Sequence, residues 1–214
     1  MKGLFITFEG NDGSGKSSAI KAVYNKLQEL GYDVILSREP GGSKIAEKIR
    51  DIILDKDNVG MDDWTEALLY AASRREHIQK TILPALKEGK IILCDRFLDS
   101  SLAYQGSARH LGIDKVYELN QFATNGLLPD LTIFVCVHPE VGLERIKKNA
   151  RDMDRLELET NEFHHNVYNG YMTLCQKYSN RIVKINGEMT QPEVASITTQ
   201  TVLDYIKENY KHDN

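Results

Sequence analysis

The chain of 214 residues has the length of one sizeable α/β domain with an ordinary hydrophobic core. Its 41% hydrophobic and 27% charged residues fit neither a disordered chain nor a membrane protein, and its formal charge of −4 argues against a basic, nucleic-acid-coating surface. An anionic ligand must therefore meet locally concentrated positive groups.

The cysteines and the first residues bear on cellular location. Cys94, Cys136 and Cys175 form no C-x-x-C pair, and their odd number argues against a disulfide framework. Only Met1 and Lys2 precede the strand-like run 3–9, which leaves no room for a signal peptide, and no apolar run approaches the ~20 residues that span a bilayer. We therefore expect a cytoplasmic protein that binds neither nucleic acid nor a membrane.

Short β-rich runs alternate with longer helical patterns along the chain. The predicted strands are 4–9, 33–38, 91–95, 131–137 and 181–185. The predicted helices are 16–30, 43–55, 62–87, 113–125, 139–150, 159–178 and 190–210. This alternation predicts an α/β fold, a five-stranded parallel sheet flanked by helices, and a single domain over residues 1–214.

Residues 10–17 match G-x-x-x-x-G-K-[ST] in full, between an apolar strand and a helical pattern. The glycines let backbone N–H groups turn toward phosphate oxygens, Lys16 supplies a charge for the outer phosphates, and the Ser17 hydroxyl can ligate Mg²⁺. The alternative is a glycine-rich turn without a ligand. We expect a nucleoside triphosphate with Mg²⁺ to contact this loop, through Gly10, Asn11, Asp12, Gly13, Ser14, Gly15, Lys16, Ser17 and Ser18.

The loop alone leaves switch proteins, motors and kinases open. A GTPase carries N-K-x-D for guanine and D-x-x-G after a strand. N-K-x-D is absent, and the single D-x-x-G match, at 57–60, lies in a polar loop. The sequence therefore argues against a GTP-dependent switch.

Three further segments have the composition of an acceptor site. The first, 38–42 (R-E-P-G-G), follows a predicted strand, where ligands of doubly wound sheets collect, although an Arg–Glu ion pair explains it equally well. The second segment lies on predicted helix 62–87, where one face carries Tyr70, Ser73 and Arg74. These side chains are either exposed polar groups or contacts for a base and a phosphate. The core stripe of that helix is predicted to be Trp64, Leu68, Ala71, Ile78 and Ile82.

The third segment, 95–105, begins where the apolar run 91–94 stops. Asp95 at this point can hold Mg²⁺ through water, and Arg96 beside it has the fork geometry that binds phosphate. Each residue alone is a weak indicator, but together with the phosphate loop they favour phosphoryl transfer.

Residues 145–157 are dense in both charges and have few apolar anchors. Most such runs are solvated helix ends, and the alternative is a mobile lid that brings arginines over a ligand. The spacing alone leaves both interpretations open.

Four motifs and the arginine-bearing charged run resemble those of bacterial thymidylate kinases over essentially the whole chain. The motifs are 8–17, 38–42, 65–74 and 95–105, and the lid falls at about 147–160. The resemblance implies the P-loop nucleoside-monophosphate-kinase fold and transfer of the γ-phosphoryl group of ATP to dTMP, giving ADP and dTDP for dTTP synthesis. It also implies Mg²⁺ as the cofactor and a homodimer formed by packed helices.

The same resemblance implies a pyrimidine site. Tyr70 stacks on thymine, while Arg74 and Gln105 read the edge of the base. Ser101 also contacts the base, and Tyr104 crowds the sugar 2′ position, which favours deoxyribose.

The acceptor phosphate has its own predicted contacts in this family. Arg50 and Arg96 would hold the phosphate. Glu39 would lie near the sugar and the magnesium-bound waters, and Asp12 near the acceptor sugar or the metal.

Members of the family place a catalytic arginine either in the phosphate loop or in the lid. Residues 11–14 offer none, so Arg151 and Arg155 should supply transition-state charge together with Lys16 and Arg96. Arg155→Ala is then expected to lower kcat by about 10²- to 10⁴-fold with little change in ATP binding. Two alternatives stay open: another deoxynucleotide or nucleoside kinase on this fold, and a non-catalytic nucleotide-binding module.

Overall fold

A parallel β-sheet forms the centre of the computed structural model, which describes residues 3–148 and 154–210. Its strands are β1 (Leu4–Glu9), β2 (Val34–Arg38), β3 (Ile91–Asp95), β4 (Leu131–Cys136) and β5 (Ile182–Asn186). Their order is β2-β3-β1-β4-β5, and each pair of neighbours is parallel. The predicted five-stranded parallel sheet is therefore confirmed.

Helices connect the strands and cover both faces of the sheet. They are α1 (Lys16–Glu29), α2 (Lys44–Leu54), α3 (Asp63–His77), α4 (Leu83–Lys87), α5 (Leu98–Ser101), α6 (Ile113–Thr124), α7 (Pro139–Lys148), α8 (Asn161–Lys177) and α9 (Gln191–Asn209). The π-helical segment Ile78–Ile82 joins α3 to α4, so the predicted helix 62–87 is continuous but not uniformly α-helical. In the described residues, none of the helices is long and apolar enough to cross a membrane.

The helical region 98–108 was not predicted. The short helix α5 continues directly into the π-helical segment Leu102–Ala108. Leu98 and Leu102, four residues apart, are both fully buried. That spacing is the helical signal, but polar residues between them obscure it.

Alternate residues of the strands build two different layers. Leu4, Ile6 and Phe8 of β1 face α1 and α9, which contribute apolar residues such as Val23 and Val202. We call this the α1–α9 layer. Phe5 points to the opposite side, into a core built mainly on α5 and α8, which we call the α5–α8 layer. The fold thus follows the two-residue period of β-strands.

The predicted core stripe of α3 is partly wrong. Ala71, Ile78 and Ile82 are buried, but Trp64 is 40% exposed and Leu68 is 54% exposed. Within the described residues, no neighbouring element covers that face of α3. The helix instead buries polar side chains on its inner side, namely Glu66, Ser73, Arg74 and His77.

Register brings the predicted functional segments to one edge of the sheet. Phe8 of β1 and Arg38 of β2 are both paired with Asp95 of β3. The phosphate loop follows β1, and the 38–42 turn follows β2. Because the carboxyl ends of parallel strands meet at the same edge, the three segments converge there.

Candidate active site

The phosphate loop lies between β1 and α1, as its sequence predicts. Gly13 and Gly15 have φ angles of 74° and 86°, in the left-handed region that favours glycine. A Cβ atom at Gly13 would also lie 2.1 Å from the carbonyl oxygen of Gly142. The loop therefore needs glycine at both positions, and it leads into the positive N-terminal end of α1.

A cleft of about 500 Å³ opens on one side of this loop. Residues of the loop line it, together with Arg145, Lys148 and Thr190. Arg145 donates a hydrogen bond from Nη1 to the carbonyl oxygen of Gly187 over 2.9 Å, which holds its guanidinium in the cleft wall. Sequence reasoning placed Arg145 in the charged run and did not identify this position.

Asp95 lies directly beside the two polar residues that end the loop. Its carboxylate forms an ion pair with the Lys16 ammonium, and the Ser17 hydroxyl lies 3.4 Å from Asp95 Oδ2. Burial alone would raise the pKa of Asp95, but the charges of Lys16 and Arg96 outweigh it and hold that pKa below its ordinary value. An ionised carboxylate and a hydroxyl are hard oxygen ligands of the kind that Mg²⁺ takes.

A second cavity, of about 190 Å³, opens on the other side of the loop. It shares Asp12 and Lys16 with the first cleft, so the two sites meet at these side chains. The structure brings together most of the predicted acceptor residues in its wall, which are Asp12, Glu39, Arg50, Tyr70, Arg96, Tyr104 and Gln105. Its wall also contains Arg38, Pro40 and Ser100 from two of the predicted acceptor segments, and Asp154, Leu156 and Glu157 from the charged run. Leu54 lies outside every segment for which the sequence indicated a function.

Arg96 is the central cation of this cavity. Its backbone has a φ of 69°, and its Nη2 donates to Asp12 Oδ1 over 2.6 Å. The guanidinium carbon lies 5.0 Å from the centre of the Tyr104 ring, whose hydroxyl donates to Asp12 Oδ2 over 3.0 Å. Burial would raise the pKa of Asp12, but Arg96 and Lys16 keep it below its ordinary value. The cavity therefore presents a held guanidinium beside a carboxylate.

Glu9, at the end of β1, supports Arg96 from behind. Glu9 accepts hydrogen bonds from the Phe97 N–H (2.8 Å), the Ser100 hydroxyl (2.5 Å) and the Tyr171 hydroxyl (2.9 Å). Ser100 and Tyr171 in turn accept from Arg96 Nη1 over 3.2 and 3.3 Å. Burial is the main cause that raises the pKa of Glu9 to about 7. Sequence reasoning missed this residue, although a carboxylate ending an apolar strand is a usable signal.

Three predicted base contacts lie outside the cavity wall. The Arg74 guanidinium donates to Glu39 Oε2 (2.7 Å), to Ser101 Oγ (3.0 Å) and to the side chain of Asn120. The Ser73 hydroxyl accepts from the Gly41 N–H over 3.2 Å. These side chains tie α3 to the 38–42 turn and to α5, and their contact with a base stays a prediction.

The lid segment is described only in part. Arg151 lies outside the described residues. Arg155 is 4% exposed and donates from Nε to the Ile53 carbonyl oxygen (2.8 Å) and from Nη2 to Glu66 Oε2 (2.6 Å). It lines neither cleft, although its neighbours Asp154 and Leu156 line the second cavity. Its predicted role at the phosphates is therefore not supported by this placement.

The parallel sheet, the phosphate loop and the paired clefts define a P-loop phosphotransferase of the nucleoside-monophosphate-kinase class. Comparison with known proteins narrows this class. A family model described as thymidylate kinase matches residues 8–196. The chain belongs to the thymidylate kinase family, as its motifs predicted, and it is an enzyme.

Individual relatives agree with this assignment over nearly the whole chain. The thymidylate kinase of Geobacillus sp. (strain WCH70) is 51% identical over 208 residues, which cover 97% of this chain and 99% of the relative. That of Clostridium novyi (strain NT) is 54% identical over 194 residues, covering 90% and 95%. The crystal structure of thymidylate kinase from Ehrlichia chaffeensis superposes with a TM-score of 0.75 at 30% identity, covering 97% and 99%.

Proposed function

We propose that this chain transfers the γ-phosphoryl group of ATP to dTMP where its two clefts meet, forming ADP and dTDP. The family gives the reaction, and one observation carries the assignment of the site: both clefts are lined by Asp12 and Lys16. A triphosphate on the loop would direct its terminal phosphate toward the cavity that holds Arg96. Donor and acceptor phosphates would thus approach from opposite sides of the loop.

Catalysis at this junction would be mostly positioning and neutralisation of charge. Phosphoryl transfer leaves little covalent work for the protein, since the acceptor phosphate is already ionised near neutral pH. Lys16 would stabilise the outer phosphates of the donor, and Arg96 would hold the acceptor phosphate by its planar fork. Arg50, whose Nη1 donates to the Pro40 carbonyl oxygen over 2.8 Å, would assist from the cavity wall.

Mg²⁺ would bind beside the loop, held by Ser17 and Asp95. The structure describes no cluster of three or more metal-ligating His, Cys, Asp or Glu side chains in its residues. A site of one hydroxyl and one carboxylate nevertheless fits this ion, because Mg²⁺ takes most of its remaining ligands from phosphates and water. When bound, the ion would neutralise charge on the transferred group.

The pyrimidine would occupy the inner part of the acceptor cavity. Tyr70 offers a ring for stacking and Gln105 an amide for the base edge, and both line this cavity. Tyr104 is 5% exposed and is held by its bond to Asp12, so its ring would crowd a ribose 2′ hydroxyl. If Tyr104→Ala kept the same preference for dTMP over the ribonucleotide, this role of Tyr104 would be wrong.

The roles of Arg151 and Arg155 in the transition state remain proposals. Arg155 would have to leave Glu66 and Ile53 to reach the phosphates. Turnover and thermal unfolding of Arg155→Ala separate the possibilities. A kcat lowered about 10²- to 10⁴-fold at unchanged stability supports a role at the phosphates. Lost stability with kcat retained would make Arg155 structural only.

An ADP-release assay with a panel of acceptors tests the proposed function. We expect dTMP to be preferred over dUMP, thymidine, CMP and AMP. Arg96→Met should lower kcat/KM for dTMP by about 10²- to 10³-fold, as loss of one pre-positioned donor does, with ATP binding nearly unchanged. Arg75→Met, which removes an exposed guanidinium from α3, is the matched control.

Other outcomes of the same assay would contradict the proposal. Thymidine as the best acceptor would indicate a nucleoside kinase. ATP binding without acceptor-stimulated turnover would indicate a non-catalytic nucleotide-binding module. Wild-type turnover in Arg96→Met would place the acceptor phosphate elsewhere.

We also propose that the chain forms a homodimer through α3 and α6. Trp64 and Leu68 of α3 are 40% and 54% exposed, and Phe122 of α6 is 90% exposed. Exposed large apolar side chains on neighbouring helices are typical of interaction surfaces. Sedimentation should give twice the chain mass of 24.3 kDa, and Phe122→Glu should shift it toward one chain. Particles of one chain mass in the wild type would contradict the dimer.

A cytoplasmic location is the last part of this proposal. Cys94, Cys136 and Cys175 are all free thiols in the structure. Free cysteines are typical of reducing compartments, and the phosphoryl donor is ATP. Fractionation of cells that produce the tagged chain would test this location.

A further inference from the structure

Glu66 is a buried carboxylate that the proposed mechanism does not use. It lies on the inner side of α3, is 0% exposed, and receives hydrogen bonds on both oxygens. Gln105 donates from Nε2 to Glu66 Oε1 over 2.8 Å. Arg155 and Arg109 donate from Nη2 to Glu66 Oε2 over 2.6 and 3.1 Å. One side chain therefore joins a cavity-lining amide to two arginines.

The charge of Glu66 determines which way the Gln105 amide faces. Burial alone would raise the pKa of Glu66, but the hydrogen bond from Gln105 and the charge of Arg109 outweigh it and hold the pKa below its ordinary value. An ionised carboxylate accepts hydrogen bonds and cannot donate them. The Gln105 amide must therefore turn its NH₂ group toward Glu66. Its carbonyl oxygen then faces away from Glu66.

We propose that Glu66 is a positioning residue that fixes Gln105 with its carbonyl oxygen available to the acceptor base. Gln105 is 1% exposed and lines the acceptor cavity, so it can meet a base there. A carbonyl oxygen accepts a hydrogen bond from the N3–H of thymine or uracil. Cytosine has an unprotonated N3 and offers no donor at that position. The inference rests on the proposed function, because it assumes that the pyrimidine occupies this cavity.

Fixing the amide matters because a free glutamine amide can rotate to satisfy either base. A site built to hydrogen-bond one substrate group discriminates strongly only when its own partner cannot adapt. Replacing Glu66 by glutamine keeps the shape of the side chain but supplies both a donor and an acceptor. Gln105 could then face the base with either end, and selectivity for the imide bases would fall.

The test compares dTMP with dCMP in the full-length enzyme carrying Glu66→Gln. For each nucleotide, kcat/KM and the dissociation constant are measured, the latter for dCMP by competition with dTMP. We expect the dTMP-to-dCMP ratio to fall about tenfold or more relative to wild type, with dUMP following dTMP. An unchanged ratio, with both nucleotides weakened equally, would show a structural role only and overturn the inference.

Two further variants isolate the path through Gln105. Arg109→Met removes one partner of Glu66 but leaves its ion pair with Arg155, which also favours the ionised carboxylate. This variant should lower stability while leaving the ratio unchanged. In a Gln105→Leu background, Glu66→Gln should have no additional effect on the ratio, since the amide is already absent. A ratio that shifts as much in Arg109→Met as in Glu66→Gln would contradict positioning of the amide.

The experiment distinguishes three outcomes: a Glu66 variant that does not fold, an acceptor site that lies elsewhere, and a Glu66 that does not position Gln105. If Glu66→Gln does not fold, Glu66→Asp carries the test, because it keeps the charge but withdraws the carboxylate from Gln105 by one methylene. We then expect a ratio lowered at least about threefold, and an unchanged ratio overturns the inference. Wild-type turnover in Arg96→Met would refute the proposed site. The expected loss of kcat/KM in Arg96→Met, together with an unshifted dTMP-to-dCMP ratio in the Glu66 variant, refutes only the role of Glu66.

Discussion

The two faces of the sheet differ in what they bury. In the α1–α9 layer, strand residues such as Ile6 and Ile133 pack against aliphatic side chains of the two helices. In the α5–α8 layer, apolar residues surround charged ones: Glu9, Asp99 and Arg181 are all buried there. The active-site cavity opens at the edge of this second layer.

The α1–α9 layer therefore contributes mainly to stability, whereas the α5–α8 layer also supports the active site. Burial of apolar surface stabilises the fold wherever it occurs, whereas a buried charge must be paired and hydrogen-bonded to be tolerated. Glu9 shows what the second layer gains, because its hydrogen bonds fix the groups that hold Arg96. We therefore expect substitutions in the two layers to have different effects.

The largest expected effect comes from breaking the Asp99–Arg181 pair. Arg181 donates from Nη1 and Nη2 to the two Asp99 oxygens, each over 2.7 Å. Arg181→Met leaves a buried carboxylate unpaired and should lower the free energy of unfolding by about 3–5 kcal/mol. Urea denaturation measures this change.

The double variant Asp99→Leu/Arg181→Met is the control for that experiment. It removes both charges and should recover most of the lost stability, since replacing a buried pair with apolar groups is often neutral. If the single variant lost less than about 1 kcal/mol, the pair would not stabilise the α5–α8 layer.

A pH-dependent effect should come next, from Glu9. Between its ordinary pKa of 4.5 and the folded value of about 7, the unfolded chain loses a proton that the folded chain keeps. This residue therefore makes folding less favourable as pH rises through that range, by on the order of 3 kcal/mol. Glu9→Gln lacks this titration, so its stability relative to wild type should increase from about pH 5 to 8. Parallel stability curves from urea unfolding would refute the raised pKa.

The smallest effect is expected in the α1–α9 layer. Ile206 of α9 is 1% exposed and far in sequence from the site. Ile206→Val removes one methylene and should cost about 1 kcal/mol of unfolding free energy with kcat unchanged. Thermal unfolding and the ADP-release assay together check this. If Ile206→Val were fully folded at the assay temperature but had a much lower kcat, the α1–α9 layer would also affect the active site.

The parts that sequence patterns predicted are those set by local rules. The G-x-x-x-x-G-K-[ST] spacing identified the phosphate loop, and the apolar runs located each strand within about a residue. The strand ends also indicated where Asp95 and Arg96 would lie. These features depend on chain-local periodicity and on the geometry of parallel sheets.

The parts that were missed depend on tertiary partners. Trp64 and Leu68 have core-like spacing but are exposed, and hydrophobic periodicity alone does not show whether a neighbouring element covers an apolar face. Sequence reasoning assigned Glu66 no role and predicted Arg155 at the phosphates, yet the two side chains pair across 89 positions of sequence. No local sequence pattern predicts a pair between residues so far apart in the chain.

A crystal structure with dTMP and a magnesium complex of ADP tests the central claim most directly. We predict that the thymine ring lies against the ring of Tyr70 and that the nucleotide's phosphate contacts the guanidinium of Arg96, with the diphosphate on the loop at 10–17. A dTMP molecule seated outside the cavity between α3 and the phosphate loop, with its phosphate not in contact with Arg96, would contradict the account.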